Sequence, residues 1–285
     1  MPARRALLYA LAGAAIGAAA ARAAYTAFTR NRPADLSGRW TRKNHRGEPI
    51  TLLEGPAFVA GSGAAAALTP GLPGRVRAAA LLAGVGSGTL GAYDDLYGTT
   101  SSKGFKGHLT ALARGEVTSG AVKILGIGAT GLGAAALVSD GPVDTLVNGA
   151  TIAGAANLAN LFDLRPGRAI KVGLLTGGPL LAASVFRGSP AAAALVAVPL
   201  GAAAALLPDD LGERAMLGDA GANSLGALLG LAAVTTIGRP GRYALLGTVA
   251  ALTAASEKVS FTKVIAANPV LNRIDMLGRR PVATV

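Results

Sequence analysis

The chain has 285 residues, 51% of them hydrophobic and 15% charged, with a formal net charge of +12 and no cysteine. A soluble domain carries about a quarter charged residues, so that class is excluded, as are disulfide scaffolds and thiolate metal sites. The basic excess would suit nucleic acid, but the positions of the charges argue for membrane topology instead.

Apolar runs of roughly 17–25 residues are long enough to cross a bilayer. Here such runs fall near 6–28, 52–69, 76–97, 118–138, 143–162, 169–186, 190–207, 220–237 and 241–259. The first, behind Arg4 and Arg5, also has the form of a secretory signal peptide, yet it exceeds a signal core and further runs follow it. The pattern predicts an all-α, polytopic transmembrane bundle of about nine spans over 1–259, with a polar tail at 260–285. Gly13/Gly17, Gly84/Gly88 and Gly226/Gly230 are small-xxx-small pairs suited to close helix packing.

The connections alternate in character. Those at 30–50, 98–117, 163–171 and 208–219, with the tail, are polar and mostly basic; those at 70–75, 139–142, 187–189 and 238–242 are short and built from Gly, Pro and Ser. With the charges at their edges, the first set carries 19 Lys and Arg against 7 for the second. The positive-inside rule then puts the long loops and the tail in the cytoplasm and the N-terminus outside, which needs an odd number of spans. The basic residues have a second use in holding anionic head groups or phosphates.

The third run ends in Asp94 and Asp95, the first charges since Arg77. Ionisable groups at membrane depth are costly and point to function, although such a pair also marks where a helix meets water. On the fifth run Asn157, Asn160 and Asp163 repeat every third residue and share one helix face. They suit a ligand or an interhelical hydrogen-bond seam. Asp219, in the Gly-Asp-Ala-Gly stretch opening the eighth run, suits a helix N-cap and a phosphate-facing turn alike. Three runs thus bring carboxylate to one membrane face. Oxygen-only clusters without His or Cys suit Mg²⁺, with Mn²⁺ as the alternative. Mg²⁺, Lys or Arg and an Asp base are the parts used in transfer between phosphates, and a membrane-embedded site implies a lipid substrate.

The aspartate pair, Asn-x-x-Asn-x-x-Asp, Gly-Asp-x-Gly, and the loop segment 42–49 with Lys43 and Asn44 occur in an order that resembles the polyprenyl-phosphate N-acetylhexosamine-1-phosphate transferase superfamily. This group, glycosyltransferase family 4, includes phospho-MurNAc-pentapeptide translocase and the UDP-GlcNAc:undecaprenyl-phosphate GlcNAc-1-phosphate transferases. Lys103 and Lys123 resemble its basic positions more loosely, and the resemblance spans about residues 1–265. It implies Asp219 and Asp95 as metal ligands, Asp94 and Asp95 acting on the lipid phosphate, and Asn157, Asn160 and Asp163 lining the nucleotide-diphosphate cleft. The implied partners are a polyprenyl phosphate, a nucleotide-diphosphate sugar and the cell (inner or plasma) membrane, with a homodimer as an option and no nucleic acid. The implied site faces the cytoplasm and serves cell-envelope glycan synthesis.

The chain departs from the family pattern in two places. Pro166 stands where a second loop aspartate is usual, and the His-rich motif before a final helix is replaced by the stretch 256–280. Arg165 and Arg168 are candidates to supply phosphate contacts in exchange, because Arg binds phosphate bidentately. A degenerate homologue acting as a lipid-binding scaffold is the rival expectation. A proton-relay transporter is a third, disfavoured because carriers place their sites near the midplane.

Overall fold

A helix stands over each of the nine apolar runs. The computed structural model describes residues 2–31, 38–98, 110, 113–115 and 118–281. Its long helices are α1 (Pro2–Arg30), α2 (Glu54–Leu68), α3 (Gly74–Leu81), α4 (Ser87–Tyr97), α5 (Ser119–Ala136), α6 (Pro142–Phe162), α7 (Arg168–Phe186), α8 (Pro190–Leu211), α9 (Gly218–Thr236) and α10 (Arg239–Ser256). A π-helical turn, Leu82–Gly86, joins α3 to α4, so the third run is one continuous rod with a bulge two turns before its aspartates. Such bulges often accompany functional sites. Four of the helices, α1, α5, α7 and α8, are long and apolar enough to cross a membrane.

The core is made of small side chains, and this sets how close the helices lie. A Cβ on Gly17 would come within 2.5 Å of the Val198 carbonyl, and one on Gly201 within 2.1 Å of the Ala14 carbonyl. Helices α1 and α8 are therefore in backbone contact, which only glycine allows. The same interface carries an ion pair between Arg22 and Asp209, so α1 is bound into the bundle by packing and by charge.

Among the described residues the polar connections 38–53, 163–167 and 212–217 and the tail meet at one end of the bundle, and the short connections lie at the other, where Arg239 pairs with Asp144 at 2.7 Å. Two features at the polar end refine the expectation of a purely helical chain. Loop 38–53 contains a two-stranded antiparallel ribbon, β1 (Thr41–Lys43) against β2 (Pro49–Thr51). The Asn44 side chain builds its turn, accepting from the backbone N–H groups of Arg46 at 2.8 Å and Glu48 at 2.9 Å. Thr51 then bridges to Ala215, stitching the ribbon to the segment before α9. The tail folds back as two short helices, α11 (Phe261–Ala267) and α12 (Pro269–Met276), with Phe261 stacked on Phe162.

Candidate active site

Asp94 and Asp95 are adjacent in sequence, but successive helix positions point about 100° apart, and the two acquire different partners. Asp94 accepts a hydrogen bond of 2.6 Å from Lys123 Nζ, near the start of α5. The same ammonium also contacts the Asp219 carboxylate. Asp95 instead turns to the N-terminus of α9, where its two oxygens accept from the backbone N–H groups of Asp219 at 3.1 Å and Ala220 at 2.9 Å. It satisfies donors that have no partner within the helix, and its charge suits the positive end of the helix dipole. The capping role expected of Asp219 is thus taken by Asp95, from another helix. Arg42 of β1 donates to the Asp95 carbonyl.

Gly91 makes this meeting sterically possible. A Cβ there would lie 2.2 Å from the Asp219 carbonyl, so any other residue would push α4 away from α9 one turn before the aspartates. Asp163, at the C-terminal end of α6, is buried and within electrostatic reach of Asp210, Asp219 and Asp95. Its Oδ2 has no hydrogen-bond partner among the described residues. Asn157 and Asn160 lie half-buried on the two turns of α6 that lead to it.

The remaining predicted residues divide. Lys43 is exposed on β1. Asn44 shapes the ribbon turn and donates to Glu213 at 2.8 Å. The Arg165 guanidinium reaches the Leu164 carbonyl at 2.7 Å. Arg168 is buried and bound to the tail, with Nε and Nη2 donating to the two Asp275 oxygens at 2.7 and 2.9 Å and Nη1 to Thr262 at 2.9 Å. Lys103 lies outside the described residues.

Several polar groups escaped the sequence reading. Glu54 is wholly buried at the start of α2, with neither oxygen partnered among the described residues. A carboxylate inside an apolar run was the signal for it. Asp210 is buried and accepts from the Gly167 N–H at 2.8 Å. Glu213, also buried, takes Arg46 at 3.0 Å. It sits at φ +56°, an unusual conformation for a non-glycine residue.

The oxygen donors suit a hard divalent cation. Asp94 and Asp219 converge on one ammonium, and Asp163 offers a buried oxygen nearby. Among the described residues no group of three or more Asp, Glu, His or Cys stands at coordinating distance. Asp94 and Asp219 are the residues that would hold such a cation, with water and substrate phosphate completing its shell, as Mg²⁺ commonly does. An apolar cavity of about 390 Å³ runs between α6, α7, α9 and α10, from Phe162, the residue before Asp163, to Ile237 at the other end. Thr176 is the one polar side chain in its lining. A scan against protein-family models finds no match to the chain, and none of the curated proteins matches it.

Proposed function

We propose that the chain is a membrane phosphoglycosyl transferase of the polyprenyl-phosphate N-acetylhexosamine-1-phosphate transferase type, with about nine spans, its N-terminus outside and its polar end and tail in the cytoplasm. The observation that carries this reading is the convergence of Asp94, Asp95 and Asp219, from helices far apart in sequence, around Lys123 and the N-terminus of α9. The apolar cavity starting at Phe162, next to Asp163, supports a lipid substrate whose chain lies among the helices while its phosphate reaches the carboxylates.

In this mechanism an oxygen of the polyprenyl phosphate attacks the β-phosphorus of the nucleotide-diphosphate sugar. The bond from that phosphorus to the bridging oxygen breaks, and the nucleoside monophosphate leaves, UMP for a UDP-sugar. Asp94 or Asp95 takes up the proton of the lipid phosphate or holds it ionised. Lys123 steadies negative charge on the phosphates, and Arg42 and the α9 N–H groups keep Asp95 in position. Mg²⁺ held by Asp219 with Asp95 or Asp94 would neutralise diphosphate charge.

The second reading, a lipid-binding scaffold for envelope assembly, is favoured by Lys123, whose ammonium engages both Asp94 and Asp219 and offsets part of their charge. One assay separates the two. Purified protein with Mg²⁺, a polyprenyl phosphate and a panel of nucleotide sugars is followed for UMP release. Turnover lost in Asp219→Ala and Asp94→Ala identifies the enzyme; specific lipid binding with no turnover on any donor identifies the scaffold.

A further inference from the structure

A second charged assembly lies at the polar end, outside the carboxylate cluster. Arg46 from the ribbon turn, Arg165 from the α6–α7 connection, Arg168 at the start of α7, and Thr262, Asn272 and Arg279 from the tail wall a cavity of about 330 Å³. Four guanidinium groups face it. Asp275 answers Arg168 and Arg279, each at 2.7 Å, and Glu213 answers Arg46 at 3.0 Å. Among the described residues the Arg165 side chain bonds only to the neighbouring Leu164 carbonyl, so its guanidinium is free to take a ligand. Two carboxylates against four guanidinium groups leave the pocket with excess positive charge. Burial, and crowding by Arg168 and Arg165 that Asp275 only partly offsets, push the Arg279 guanidinium below its usual range. Like charges held together in a concave, partly buried site are relieved by an anion, and Arg meets phosphate bidentately.

We propose that this pocket binds a phosphate-bearing anion of the diphosphate class, and that binding locks the tail onto the bundle. Half of the named walls belong to α11, α12 and the residues just after them, so the anion bridges body and tail. If the transferase reading holds, the natural ligand is the diphosphate of the donor. The pocket itself does not depend on that reading, since none of the named walls is a carboxylate of the reacting cluster. The alternative source of the same chemistry is the phosphate of an anionic lipid head group, reached from the inner leaflet.

The test uses the full chain in nanodiscs without divalent cations, reading hydrogen exchange over residues 261–279 and affinity by calorimetry. Inorganic pyrophosphate is titrated into discs of neutral phosphatidylcholine; discs containing phosphatidylglycerol form the second arm. Pyrophosphate is expected to slow exchange in the tail, with Arg165→Gln weakening binding roughly tenfold. Asn272→Asp, which places negative charge in the cavity while breaking no ion pair, is expected to abolish it. Protection by phosphatidylglycerol alone, lost in Arg165→Gln, would support the same pocket with a head group as its ligand. If neither phosphate source protects the tail, or Arg165→Gln binds as tightly as the wild type, the proposal is overturned. Asp94→Asn separates the two hypotheses, because it should stop turnover while leaving pyrophosphate protection intact.

Discussion

The two charged assemblies at the polar end are built as opposites. Around Lys123 a single cation lies between carboxylates from two helices; around Asp275 a single carboxylate lies between two arginines. Each half-neutralises itself and leaves an excess, acidic in the first and basic in the second. The excess decides what each can do. An acidic surplus suits a divalent cation and proton transfer, whereas a basic surplus suits phosphate. Phosphoryl transfer needs both within one substrate's length, and the α6–α7 connection, carrying Asp163 and Arg165, joins them.

The largest effect that would break this contrast is on turnover. Asp219→Asn should lower UMP release by roughly 10²–10³-fold, as loss of one transition-state electrostatic partner does in other enzymes, with thermal stability little changed. Retained turnover would remove Asp219 from the chemistry. In the basic assembly, Asp275→Asn leaves two buried guanidinium groups unanswered, and breaking a buried pair costs about 3–5 kcal/mol. The cost should appear as tail detachment, seen as fast hydrogen exchange over 261–279, while the helices of the bundle stay protected.

Acid should do the same more gradually. Burial alone would raise Asp275, but hydrogen bonds and charge from Arg168 and the charge of Arg279 hold it below the usual carboxylate range. Its contribution is therefore complete above the unfolded carboxylate value and is lost as pH falls through the lower folded value. Tail protection, taken relative to the intrinsic exchange rate at each pH, that is lost instead between neutral and alkaline pH would contradict this.

Smaller changes sharpen the comparison. Gly91→Ala forces α4 off α9, at about 1–3 kcal/mol for overpacking, and should reduce turnover with helix content unchanged by circular dichroism. Arg165→Gln should alter stability by less than about 0.5 kcal/mol, as expected for a side chain whose one hydrogen bond among the described residues is to the adjacent Leu164 carbonyl, and register only in anion affinity.

How much of this was legible beforehand varies by residue. The nine apolar runs could be read because a buried or membrane-embedded helix must satisfy its own backbone and be apolar along its length, which leaves a contiguous mark in the chain. Lys123 was a loose candidate, and nothing local says that it would be the ion between Asp94 and Asp219, since those residues are 29 and 96 positions away. Arg168 read as a phosphate contact, yet Asp275, 107 residues on, holds two arms of its guanidinium. Glu54 carried a signal that went unused.

The sequence by itself determined where the nine apolar helices fall and the end at which polar residues collect, because hydropathy and charge act along the chain over tens of residues. Only the tertiary structure decided which carboxylate meets which cation, that Asp95 rather than Asp219 caps α9, and that the tail closes a basic pocket. Those pairings depend on side chains meeting within about 3 Å across separate helices, and that distance is set by helix packing at glycines rather than by position in the chain.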